Sequence, residues 1–150
     1  MKTSIRRSLG ALVTTTALAA AMLGTASTAS AGSYPHPCNL YSTDFLTLDV
    51  GISYVNTNFC TNGWELSFQT DGNLVIYTPS GAPRWATNTF DSTSHLVMQT
   101  DGNLVIHAAG GAPVWASNTY APGAVAHFQT DGNLVIYGPN NGPALWASGN

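Results

Sequence analysis

The sequence predicts an all-β, closed or prism-like assembly built from three repeated units, and three observations predict it. The segment FQTDGNLVIY, Phe68 to Tyr77, returns as MQTDGNLVIH from Met98 to His107 and again as FQTDGNLVIY from Phe128 to Tyr137, at a spacing of 30 residues. A fixed period in this range marks a repeat architecture, in which one small unit cannot bury its apolar face alone. A second shared segment follows each copy: PRWATNT at Pro83 to Thr89, PVWASNT at Pro113 to Thr119 and ALWASGN at Ala144 to Asn150. Beyond Trp64 the chain consists of short apolar runs punctuated by Gly, Pro, Asn and Ser, with no sustained helical period.

Residues 1–31 are expected to be a removable secretion signal. Lys2, Arg6 and Arg7 form a basic start, Leu9 to Leu23 an alanine-rich apolar stretch, and Ala29-Ser30-Ala31 a small-x-small cleavage site. Thr14, Thr15 and Thr16 interrupt the stretch, which is short for a membrane span. Arg6-Arg7 has the look of a twin-arginine signal, but the residues after it fit that pattern poorly. The mature chain, residues 32–150, then suits one secreted, extracellular domain with a modest core.

Cys38 and Cys60 are the two cysteines, and both lie in the secreted part. An oxidising destination makes a disulfide between them the default. Such a bridge contributes about 3 kcal/mol in the chain-entropy model. Tyr34-Pro35-His36-Pro37 should be extended and irregular. Phe45, Leu46, Leu48, Val50, Ile52 and Tyr54 suggest an alternating strand that opens the fold.

Within each repeat, parity decides what faces where. Successive strand residues point to opposite faces. In the first copy one face collects Gln69, Asp71, Asn73, Val75 and Tyr77, and the other, mostly apolar, collects Phe68, Thr70, Gly72, Leu74 and Ile76. The second set should be core. Asp71-Gly72 is a strong hairpin signal. A two-residue loop there would pair Gln69 with Leu74 and mix polar with apolar groups on one face. A three-residue loop, Thr70 to Gly72 with Gly72 at positive φ, pairs Gln69 with Asn73, Ser67 with Val75 and Glu65 with Tyr77, and keeps the apolar set together. That register is preferred. An unbroken strand would also leave Gln69, Asn73, Val75 and Tyr77 on one surface. Each unit is expected to supply two hairpin strands, the tryptophan strand and an approach strand such as Ser94 to Gln99. Trp85, Trp115 and Trp146 should fill the axis of the assembly.

Charge narrows the partners. Only Arg84 among the basic residues lies beyond the leader, against seven acidic residues, which leaves a net charge of −6 with histidines neutral. Nucleic-acid binding needs cations for the phosphates, and an anionic membrane surface is disfavoured for the same reason. Abundant Asn, Gln, Thr, Tyr and Trp suit a neutral partner rich in hydroxyls. A sugar hydroxyl both donates and accepts, so a pocket for it wants an acceptor beside a donor. Asp supplies a charged acceptor, and Asn and Gln supply amide groups of either kind. Asp-Gly-Asn could serve the turn alone. A turn, however, does not require the same Gln and Val at fixed offsets in three copies. Calcium wants six to eight oxygens, and each copy offers one carboxylate. His36, His95, His107 and His127 share no metal-ligand spacing. Asp71, Asp101 and Asp131 are chemically equivalent, unlike the paired carboxylates of a glycosidase. No Gly-x-Ser-x-Gly nucleophile elbow is present.

The pattern Gln-x-Asp-x-Asn-x-Val-x-Tyr, followed by Pro-x-Trp-Ala-Ser/Thr-Asn-Thr, resembles the signature of the bulb-type mannose-binding lectins, the monocot lectin family with the β-prism II fold. The resemblance covers roughly residues 64–150. It implies three four-stranded antiparallel sheets in threefold pseudo-symmetry, from units of about 64–93, 94–123 and 124–150. It also implies a mannose pocket on each sheet, binding without calcium or any cofactor, and no enzymatic activity. By resemblance, Asp71 and Asn73 take the axial 2-hydroxyl, Gln69 the 3-hydroxyl and Tyr77 the 4-hydroxyl, while Val75 packs on the C–H face. The same roles fall to Gln129, Asp131, Asn133, Val135 and Tyr137. Gln99, Asp101, Asn103 and Val105 match as well, but His107 replaces the tyrosine, so the middle pocket should be weaker. Members of the family often dimerise by exchanging C-terminal strands, which makes a homodimer a further expectation. Two alternatives to a mannose-specific lectin are a lectin-like antibacterial toxin and a structural or inhibitory β-protein whose repeats only build the fold.

Overall fold

The computed structural model describes residues 36–149. The expected leader, residues 1–31, and the last residue of the third tryptophan segment, Asn150, lie outside them. The described residues form thirteen strands: β1 Leu40–Ser42, β2 Leu46–Leu48, β3 Ser53–Tyr54, β4 Thr57–Thr61, β5 Trp64–Phe68, β6 Leu74–Tyr77, β7 Pro83–Ala86, β8 His95–Met98, β9 Leu104–His107, β10 Pro113–Ala116, β11 Val125–Phe128, β12 Leu134–Tyr137 and β13 Ala144–Ala147. They form three sheets, ordered β1-β4-β5-β6-β7, β10-β9-β8-β3 and β13-β12-β11-β2.

Each repeat contributes a hairpin and a tryptophan strand to one sheet. The hairpin has the three-residue loop that parity favours: Glu65 pairs with Tyr77, Ser67 with Val75, and Gln69 N–H donates to Asn73 O at 2.9 Å. The other two hairpins copy it, with Gln99 to Asn103 at 2.8 Å and Gln129 to Asn133 at 2.9 Å. Phe68, Leu74 and Ile76 are buried together with their counterparts Met98, Leu104, Ile106, Phe128, Leu134 and Ile136. The tryptophan strands lie at sheet edges, where Pro83 and Pro113 cost no ladder hydrogen bond. A register shift in each of these strands precedes the tryptophan. The three indoles of Trp85, Trp115 and Trp146 then meet edge to face, with centroids 5.9, 5.8 and 5.7 Å apart. Such pairs contribute about 0.5–1.5 kcal/mol each beyond the area they bury.

Three expectations change. The fourth strand of each sheet does not come from its own repeat, because Ser94 to Gln99 is itself the first hairpin strand. It comes from residues 46–61, in reverse order. β2 pairs with β11, β3 with β8 and β4 with β5. A 30-residue period holds three short strands and their turns, so the last strand must be supplied from outside. The alternation from Phe45 to Tyr54 is therefore not one strand. Leu48 and Tyr54 are buried in different sheets, while Val50 and Ile52 lie exposed where the chain crosses between them. In addition, the first sheet has five strands, since β1 adds in parallel to β4. The Cys38–Cys60 disulfide ties this arm down, with Cα atoms 5.8 Å apart.

The loop glycines carry a packing constraint. Gly102 has φ of +89°, and a Cβ there would sit 2.2 Å from Ala121 O. Neither the backbone conformation nor the space tolerates a side chain. The Gly102→Ala variant should lose about 2–5 kcal/mol, from strain and forced displacement together. Urea unfolding measures this, and an unchanged midpoint would contradict the close approach.

Candidate functional site

Each hairpin carries its Gln, Asp, Asn, Val and Tyr or His at the same positions; in the middle copy one cavity collects all five, and in the first and third copies hydrogen bonds join Asp to Asn and Gln to Tyr. The loop fixes the carboxylate first. Asn73, Asn103 and Asn133 each donate their backbone N–H to Oδ1 of the Asp two residues earlier, at 3.0 Å in every copy. For Asp71 and Asp101 this orients the second carboxylate oxygen toward solvent, on side chains that are exposed.

The asparagine is held from the neighbouring tryptophan strand. Asn73 Oδ1 accepts from Asn88 N–H at 2.9 Å and from the Thr87 hydroxyl at 3.2 Å. Ser117 donates to Asn103 Oδ1 at 3.0 Å, and Ser148 to Asn133 Oδ1 at 2.9 Å. With its oxygen engaged, each side-chain amide has only its N–H groups left to offer, as donors. These hydroxyls escaped the sequence reasoning. Their signal was the Ser or Thr that stands two residues after every tryptophan in the repeated segment.

The far wall differs among copies. Gln69 Nε2 donates to Tyr77 Oη at 2.7 Å, and Gln129 Nε2 to Tyr137 Oη at 2.7 Å. The phenol proton of each tyrosine is then left for another acceptor. In the middle copy His107 Nδ1 lies 2.9 Å from Gly111 O, and Gln99 Nε2 lies 2.9 Å from His107 Nε2. A carbonyl only accepts, so Nδ1 carries the proton and Nε2 accepts from Gln99. Histidine thus holds the glutamine as tyrosine does, but it spends both ring nitrogens on the protein.

Val75, Val105 and Val135 are buried at 4%, 2% and 3% exposure, although they share the outer face. They form an apolar floor beneath the polar groups. Around the middle copy a cavity of about 270 Å³ is lined by Gln99, Asp101, Asn103, Val105, His107, Pro113, Ala116, Asn118 and Tyr120. Next to the first copy, a hollow of about 380 Å³ on the β4 side of the loop is lined by His36, Asn56, Asn58, Ser67, Gln69, Thr70 and Asp71. His36 enters it because β1 carries the arm there. Its N–H donates to Glu65 Oε2 at 3.2 Å, and its Nδ1 lies 2.7 Å from Glu65 Oε1, so the buried carboxylate is paired. Among the described residues, no three His, Cys, Asp or Glu side chains cluster to hold a metal ion.

No protein-family model and no curated protein sequence matches the chain. Solved structures do. A monomeric monocot mannose-binding lectin from Gastrodia elata is 37% identical, with a TM-score of 0.61, over 71% of this chain and 97% of that one. The chain belongs to the bulb-type, monocot mannose-binding lectin family.

The fold of this lectin is β-prism II. The mannose-specific agglutinin of snowdrop (Galanthus nivalis) bulbs, solved with methyl α-D-mannoside, is 37% identical over 65% of this chain and 91% of that one, with a TM-score of 0.57. Tarin lectin, solved with trimannose, is 28% identical over 65% and 91%, with a TM-score of 0.56.

One titrating group of the lectin borders the third copy. His127 stacks on Phe45 at 4.4 Å and leans on Tyr137 at 5.6 Å. Burial there holds its imidazole below the ordinary value of 6.5. The unfolded chain then binds the proton more readily than the folded one, and stability rises with pH wherever that holds. The contribution of neutral His127 is full above 6.5 and is lost as pH falls through the folded-state value. The His127→Phe variant should therefore lose less stability than the native chain between about pH 7 and about pH 5. Urea midpoints across that range check this, and parallel declines would remove His127 from the account.

Proposed function

We propose that the chain is a secreted, non-enzymatic lectin that binds mannose or mannose-rich glycans at its three outer recesses, without calcium. One observation carries the reading: the same constellation of carboxylate, two amides and apolar floor is built once on each sheet and held in place by matching hydrogen bonds. An acceptor beside donors over a buried valine matches a hexose, whose hydroxyls both donate and accept and whose ring carries C–H groups. The similarity to snowdrop agglutinin and to Tarin lectin, solved with methyl α-D-mannoside and trimannose, points to mannose among hexoses.

Secretion is supported by the basic start, apolar stretch and small-x-small site of residues 1–31, and by the disulfide of the following part. On this reading residues 32–150 form a single lectin domain. Calcium independence follows from the single carboxylate in each recess, where the ion wants six to eight oxygens. The absence of catalysis follows from three equivalent aspartates, each on a different sheet, where glycoside cleavage pairs two carboxylates of different character.

The double variant Asp71→Ala, Asp131→Ala should keep its fold, since exposed carboxylates contribute little packing. It should lose most affinity for methyl α-mannoside, by about tenfold or more per altered recess. Calorimetric titration with and without EDTA tests both parts. Undiminished binding by the folded double variant would sink the site assignment. Loss of native binding in EDTA, restored by Ca²⁺, would sink calcium independence.

A further inference from the structure

All four histidines of the chain gather at the rings that hold the recess glutamines. His36 leans on Tyr77 with ring centroids 5.4 Å apart, His95 stacks on His107 at 5.4 Å, and His127 leans on Tyr137 at 5.6 Å. The repeat does not copy these neighbours. Glu65 and Val125 stand where the middle unit has His95. The imidazole reaches Tyr77 from the arm before β1 and Tyr137 from further along β11. Imidazole is the side chain whose charge ordinarily changes between pH 5 and 8. Only the middle copy makes such a ring the direct partner of the glutamine.

The two nitrogens of that ring have different duties. Nδ1 donates to Gly111 O, which fixes the ring, and Nε2 accepts from Gln99 Nε2. A proton arriving at His107 therefore enters at Nε2. It turns that nitrogen from an acceptor into a donor that faces a donor. The contact is restored when the Gln99 amide rotates so that its Oε1 accepts from Nε2–H. Before the rotation the amide has Oε1 left for a ligand hydroxyl; after it, only N–H groups remain. Asn103 already has only N–H groups to offer, because Ser117 donates to its Oδ1. Protonation thus leaves Asp101 as the one side-chain acceptor of the Gln-Asp-Asn set. In the first and third copies the glutamine donates to a phenol oxygen, which has no basic lone pair, so the reversal does not arise there.

We propose that the middle recess is a pH-gated sugar site: protonation of His107 reverses Gln99 and weakens the hold on a hexose, and His95 is the positioning residue that sets where on the pH scale this happens. The proposal rests on the mannose-binding function given above. The groups around His107 are His95 from β8, Gln99 and Asp101 from the hairpin, Pro113 and Ala116 from β10, and Tyr120 from the rim. Of these, Asp101 favours a charged imidazole, while His95, once charged, opposes a second charge stacked on it. The pair therefore titrates as a coupled unit. Mild acid removes one recess and leaves the two that end in tyrosine, which lowers the number of glycans one chain can bridge.

Titration of the native chain with methyl α-mannoside at about pH 8 and about pH 5, followed by NMR at the side-chain amides of Asn73 and Asn103, tests this. Affinity at Asn103 should fall by about three- to tenfold in acid, the loss expected for one neutral hydrogen bond, while affinity at Asn73 changes by less than about twofold. Without sugar, the side-chain amide signals of Gln99 should shift with the same midpoint as the His107 ring. His107→Tyr should make the Asn103 profile flat. His95→Phe keeps a stacked ring without a charge, and should move the Asn103 midpoint to higher pH. An unmoved midpoint in that variant would remove His95 from the proposal. A flat native profile at Asn103, an equal fall at Asn73, or Gln99 amide signals that ignore the His107 titration would overturn the gate while leaving mannose binding intact. No response to methyl α-mannoside at any recess would instead overturn the mannose reading, and the gate as a control of sugar binding with it.

Discussion

At each hairpin tip another part of the molecule lies so close over the loop glycine that one methyl group would collide with it. Asp91 O approaches Gly72, Ala121 O approaches Gly102, and the Trp64 ring covers Gly132. That contact requires a three-residue loop with the glycine at positive φ. The loop in turn sets the hairpin register, aims Asp Oδ1 at the Asn N–H, and places Gln opposite Tyr or His. The third tip shows how the prism closes on itself. Trp64, the first residue of β5, caps the loop of the last repeat, and Asn62 Nδ2 reaches Thr130 O at 3.3 Å beside it. Packing between segments and the shape of the recesses are thus one constraint.

Three copies of one loop do not make three equal recesses. The difference comes down to one ring. A tyrosine oxygen accepts from the glutamine and still has a proton to donate, whereas His107 spends one nitrogen on Gln99 and the other on Gly111 O. One neutral hydrogen bond contributes about 0.5–1.5 kcal/mol, enough to matter when a single sugar pocket binds near millimolar, about −4 kcal/mol. The surroundings diverge too. His36 and its buried partner Glu65 flank the first copy, His95 stacks on His107 in the second, and Phe45 with His127 flanks the third. The loop chemistry is the same in all three copies, and these neighbours make the surroundings of each recess different.

Much of this was legible in the residues, for a physical reason. Strand parity has period two, so the apolar set Leu66, Phe68, Leu74 and Ile76 can be buried in one register only, and that register identifies the loop. The edge-to-face cluster of Trp85, Trp115 and Trp146 was legible because one aromatic recurred with each repeat. The source of the outer strands was not. β2, β3 and β4 are two to five residues long, and nothing local in LTL or SY names a partner about 45 to 80 residues away. The position of His36 was hidden likewise, since it depends on a parallel strand and a disulfide that act together. The hydroxyls of Thr87, Ser117 and Ser148 stood in a repeated segment, but their role emerges only when the tryptophan strand is laid beside the loop.

The account rests on the loop geometry creating sugar recesses of unequal strength. Titration of the native chain with methyl α-mannoside, followed by NMR at the side-chain amides of Asn73, Asn103 and Asn133, reads each recess separately. The account predicts that Asn73 and Asn133 respond first, with affinity about three- to tenfold above that at Asn103. Equal affinity at all three, or no response at any of them in the folded protein, would contradict it.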